Sequence, residues 1–69
     1  MTSGITDITN FPLPFNKTVD LKHVEYEGGM DMIRTTFREG RRFTTIEMDQ
    51  SSARKLGNEL IAWADRQAN

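Results

Sequence analysis

From Thr18 onward the chain alternates apolar and polar positions in three short runs, Thr18 to Glu27, Met30 to Arg38 and Arg41 to Met48, before its period changes. Alternation at every second residue puts one set of side chains on each face of a strand. Gly28-Gly29 and Glu39-Gly40 separate the runs, and glycine accepts the positive φ of tight hairpin loops. The pattern predicts a three-stranded antiparallel meander.

Taking each glycine pair as a two-residue loop fixes a register, because residues flanking such a loop are paired and paired residues share a face. Glu39-Gly40 as the loop sets Ile33 against Ile46 and Thr35 against Thr44. Gly28-Gly29 as the loop sets Val24 against Ile33 and Tyr26 against Asp31. One face is then expected to carry Val24, Tyr26, Ile33, Thr35, Phe37, Thr44, Ile46 and Met48. The other carries Met32, Arg34, Thr36, Arg38, Arg41, Phe43, Thr45 and Glu47. Val19 and Leu21 have the wrong parity for the first face. Either a bulge near Lys22-His23 returns them to it, or they pack as part of the arm that precedes the strand.

After Met48 the period becomes helical. Asp49 is placed to cap the helix by accepting from free amides of the first turn. Ala53, Leu56, Gly57, Leu60, Ile61, Trp63 and Ala64 fall on one arc and the charged residues on the rest, the mark of an amphipathic helix lying on a sheet. Gly57 inside the apolar stripe costs about 1 kcal/mol relative to alanine, so an aromatic ring from the sheet, Phe37 or Tyr26, is expected to approach it. The fold class is α+β, a βββα domain over residues 11–69.

Residues 1–10 offer little to bury and read as a flexible tail. In Phe11-Pro12-Leu13-Pro14-Phe15 the prolines favour extended backbone. Phe11, Leu13 and Phe15 could then face one way, as a strap across the core edge or as an arm that docks on a second chain.

Length changes the picture more than composition does. A chain of 69 residues rarely draws more than roughly 3–5 kcal/mol from its own core. With no cysteine and one histidine, disulfide and metal staples are unavailable, which leaves self-association. A net charge of −1 gives no long-range field towards nucleic acid or anionic lipid. Neither a leader pattern nor a membrane-length apolar stretch is present. The expected location is cytoplasmic.

Candidate chemistry is sparse. His23 has no set of ligands arranged around it, Ser51 and Ser52 belong to the first helical turn, and Gly28-Gly29 precedes a strand rather than a helix, so it is no phosphate loop. The expectation is a protein that is not an enzyme and has no metal and no cofactor. The surface features are the outer sheet face, with Met32, Arg34, Arg38, Arg41, Phe43 and Thr45 and with Arg42 adjacent at the turn, the open edge of the third run, and Trp63 at the margin of the helical stripe. Arg34 could pair with Glu47 and the other arginines could be plain surface charge. Exposed apolar residues and an unpaired edge point instead to a protein partner or a homodimer. The same arginines could grip nucleic acid, since some DNA-binding domains use the open face of such a sheet.

The order Phe11 to Phe15, Met32-Ile33-Arg34, Arg38-Glu39-Gly40-Arg41-Arg42-Phe43-Thr44, Asp49, Ala53 and Leu60 to Ala64 resembles a family of small uncharacterised bacterial proteins, mainly proteobacterial. The likeness covers Phe11 to Ala64 and implies a small domain of unknown function, with no site residue to carry over. The functional expectation is a non-catalytic protein-interaction module that self-associates, with nucleic-acid binding as the alternative.

Overall fold

The computed structural model describes residues 2–67, with side chains from residue 4 onward. Its elements are β1 (Thr2–Leu13), β2 (Lys17–Tyr26), β3 (Asp31–Glu39), β4 (Arg42–Met48) and α1 (Gln50–Gln67). The strands form one antiparallel sheet in chain order. The α+β class and the C-terminal helix are as expected, but the sheet has four strands, not three.

The additional strand corrects the reading of the N-terminal segment, because residues 2–10, expected as a tail, form most of β1. Ile5, Thr6, Ile8 and Thr9 are β-branched, the type that suits a pleated surface. Their alternation is hidden by register shifts between Thr2 and Gly4 and between Asp7 and Thr9. Pro12 is tolerated because β1 lies at the sheet edge, where an absent amide need not break a ladder. The proline segment is not one continuous strap. Phe11 to Leu13 end β1, whereas Pro14, Phe15 and Asn16 form the turn into β2, with Phe15 and Asn16 both at positive φ.

The β2–β3 loop overturns half of the expected register. The Tyr26 amide donates to the Met30 carbonyl at 2.9 Å and the Gly29 amide to the Tyr26 carbonyl at 3.2 Å. The loop therefore contains Glu27, Gly28 and Gly29, one residue more than expected, with both glycines at positive φ. One extra loop residue reverses the parity of the whole strand. Val24 now pairs with Met32, His23 with Ile33 and Leu21 with Thr35. Val24 and Tyr26 thus face away from the helix, while Val19 and Leu21 lie on the helix side without any bulge, the β2–β3 register being unbroken from Lys17 to Glu25.

The β3–β4 hairpin shifts by two instead, which leaves the faces as they were. Its loop is Gly40-Arg41, with Gly40 at φ 62° and Glu39 paired with Arg42. Ile33 consequently faces Met48, and Thr35 faces Ile46.

Asp49 caps α1 as its sequence position implies. Its carboxylate accepts the Ser52 amide at 2.9 Å, and its carbonyl accepts the Ala53 amide at 2.9 Å. The helix approaches the sheet chiefly over β3. Four strands at roughly 4.8 Å spacing are wider than one helix of about 10–12 Å diameter, so part of the apolar face stays uncovered. Val19 and Val24 are the buried hydrophobic side chains among the described residues, and no described helix residue is buried. No ring among the described residues approaches Gly57, since a Cβ built there would meet no atom within 4 Å.

Candidate interaction surfaces

The register divides the residues singled out in the sequence among three places. Met32, Arg34 and Arg38 of β3 and Phe43 and Thr45 of β4 share the face away from the helix, because Arg34 pairs with Glu47, Thr36 with Thr45 and Arg38 with Phe43. Arg41 belongs to the β3–β4 loop, and Trp63 stands on α1. The structure does not bring these last two onto the outer face.

Cross-strand pairing dictates the chemistry of that face. Arg34 donates from Nε to Glu47 at 2.8 Å, and the Tyr26 hydroxyl donates to the other oxygen of the same carboxylate. Those two donors, the tyrosine first, hold the Glu47 carboxyl below the usual carboxylate range, and Glu47 in turn raises the pKa of Arg34. Lys22 contacts Asp7 and, at 3.4 Å, Asp20, chiefly the Asp7 bond raising its pKa. Arg38 lies 5.6 Å from the Phe43 ring centre and donates to the Gly40 carbonyl at 3.1 Å. The Thr36 and Thr45 hydroxyls are 3.1 Å apart. The cations Lys22, Arg34 and Arg38 are interleaved with Asp7, Asp20 and Glu47, so this face is charge-balanced. It encloses a depression of about 390 Å³ between Asp20, Lys22, Arg38 and Phe43.

The helix side differs in kind. A cleft of about 570 Å³ opens between α1 and the sheet, bounded by Phe11, Val19 and Leu21 on the sheet and by Leu56, Gly57 and Leu60 on the helix. Thr35, also on its wall, is buried with Oγ1 lacking a hydrogen-bond partner. Sequence reasoning takes the helical stripe as closed core and so misses this cleft. The usable signal is the parity of Val19 and Leu21, which places both on its floor once the first loop has three residues.

His23 offers little chemistry, with Nε2 3.9 Å from an Asp31 oxygen. Among the described residues no group of three or more His, Cys, Asp or Glu could hold a metal ion. No helix among them is long and apolar enough to cross a membrane.

Fold and surfaces define a small α+β domain whose single helix leaves an apolar cleft open on a four-stranded sheet. The chain belongs to DUF6967, a family of unknown function, whose model matches residues 2–66. No curated protein and no solved structure matches it.

Proposed function

We propose that this protein is a non-catalytic protein-interaction module whose cleft, between α1 and the β1–β2 half of the sheet, receives an apolar segment of another polypeptide. The observation that carries this reading is the exposure of the stripe that should be core. Leu56 is 46% exposed and Leu60 60%, although both are large apolar residues on the helix wall of the cleft. Contiguous apolar surface of this kind marks interaction sites, and burying one such side chain fully contributes about 1.5–3 kcal/mol. A segment seated against Leu56, Leu60 and Phe11 would supply what the short chain lacks. Nucleic-acid binding draws less support from the outer face, where the Arg34 and Lys22 charges are already matched by carboxylates.

A photo-crosslinking residue at Leu60 tests the reading against one at Arg54 on the polar side. A discrete protein adduct from Leu60 alone supports it. Equal labelling from both positions, or none from either, overturns it.

A further inference from the structure

We infer that two copies of this chain join edge to edge through β4, forming an eight-stranded sheet about a twofold axis at Thr45. This surface is separate from the cleft, so the two proposals can fail independently.

An antiparallel sheet has two edges, and here they are built differently. β1 carries Pro12 and two register shifts, features that blunt an edge against further pairing. β4 has neither. Its pairing with β3 runs without interruption from Arg42 to Met48, and the strand Arg-Phe-Thr-Thr-Ile-Glu-Met contains no proline, glycine or lysine.

The phase of the ladder fixes which groups that edge presents. A two-residue loop makes the flanking residues, Glu39 and Arg42, a hydrogen-bonded pair, and bonded and non-bonded pairs alternate along an antiparallel ladder. Thr44, Ile46 and Met48 therefore direct their amides and carbonyls at β3. Phe43, Thr45 and Glu47 direct theirs outward, where the described sheet has no further strand.

Those outward groups are self-complementary. An antiparallel pairing centred on Thr45 sets Thr45 against Thr45 of the partner subunit and Phe43 against Glu47 of the partner subunit, each a bonded pair of the required phase. On the helix side Thr44 meets Ile46 of the partner subunit. No like charges are opposed, which a shift along the edge to bring Glu47 onto its own copy would not preserve. The axis stands normal to the sheet, so both helices lie on the same side. Ile46, half exposed in the single chain, then enters the trough between them. A second copy is the occupant that this symmetric register and the small core favour over an unrelated strand.

Thr45→Pro tests the pairing, because it deletes an outward amide without removing any backbone bond to β3, the exposed Thr36–Thr45 hydroxyl contact being lost in either variant, and Thr45→Lys is the milder version. Light scattering on the full chain at high micromolar concentration should give twice the 7.9 kDa monomer mass. Both variants should keep the wild-type circular dichroism and weaken dimerisation about tenfold or more. In wild type, the Phe43, Thr45 and Glu47 amides should exchange slowly with solvent. A wild-type monomer, a dimer that survives both variants, or fast exchange at all three amides overturns the inference. So does a dimer lost with Leu60→Asp but retained with Thr45→Lys, which would place the contact in the cleft.

Discussion

The Tyr26 hydroxyl donates to the Glu47 carboxylate, linking β2 to β4 across the intervening β3. Arg34 of β3 donates to the same carboxylate, so one acidic group ties together three strands. The arrangement depends on the three-residue loop at Glu27, Gly28 and Gly29. With a two-residue loop Tyr26 would have turned towards the helix, and Glu47 would have kept only its arginine.

Tyr26→Phe and Glu47→Gln should each lower the urea midpoint, and the double variant should lose less than the two single losses combined, since both remove one shared interaction. Strict additivity in this cycle would show that tyrosine and glutamate are not coupled. Arg34→Met should also be milder in the Glu47→Gln background than in wild type.

Acid should weaken the fold through two carboxylates. Glu47 is lowered by Tyr26 and Arg34, and Asp49 by its bonds from Ser52. A depressed pKa means that the folded chain binds fewer protons than the unfolded one. The stabilisation is therefore complete above the ordinary carboxylate range, about pH 4, and disappears as pH falls through the folded values. Thermal midpoints should be flat down to that range and then drop. Asp49→Asn keeps an N-cap acceptor but removes a titrating group, so its acid limb should be shallower. An unchanged limb in Glu47→Gln/Asp49→Asn would contradict this assignment.

Much of the fold is legible in residue pattern alone. The period change at Met48, the cap at Asp49, and the common face of Ile33, Thr35 and Ile46 all follow from it. A shift of two in the second hairpin cannot alter faces, so misjudging that loop does no harm. The first hairpin misleads because Gly28-Gly29 fits a two-residue and a three-residue loop equally well, and the choice reverses β2. β1 stays hidden because its bulges break period two near Ile8. The outer-face residues Met32, Arg34, Arg38, Phe43 and Thr45 group correctly by parity and Trp63 falls on the helix by its period, whereas Arg41 joins the outer row only if Glu39-Gly40 is the loop and instead belongs to the turn.

The reversed strand gives a direct comparison of two aliphatic residues that the alternation pattern assigns to one row. Val24 is fully buried and Ile46 is 50% exposed. Val24→Ala should cost about 2 kcal/mol, combining lost transfer energy with a residual cavity. Ile46→Ala should cost under about 1 kcal/mol in the dissociated chain, because half of its surface is already in water. Equal losses in urea titrations at low protein concentration would favour the two-residue loop over the observed one.

Two glycines should respond to the same substitution with opposite sign. Gly57 lies in α1 with φ in the ordinary range and open space where a Cβ would sit. Gly57→Ala removes a helix penalty of about 1 kcal/mol and should raise stability by that amount. Gly40 also has open space around it, but its φ of 62° imposes a backbone cost of roughly 1–2 kcal/mol on any residue with a Cβ. Gly40→Ala should therefore destabilise the β3–β4 hairpin by a similar amount, although it creates no clash. Thermal unfolding of the two variants in parallel separates space from conformation. A destabilising Gly57→Ala would mean that something closes on the cleft beside that helix turn, and repeating the measurement across a dilution series would show whether it is another copy of the chain.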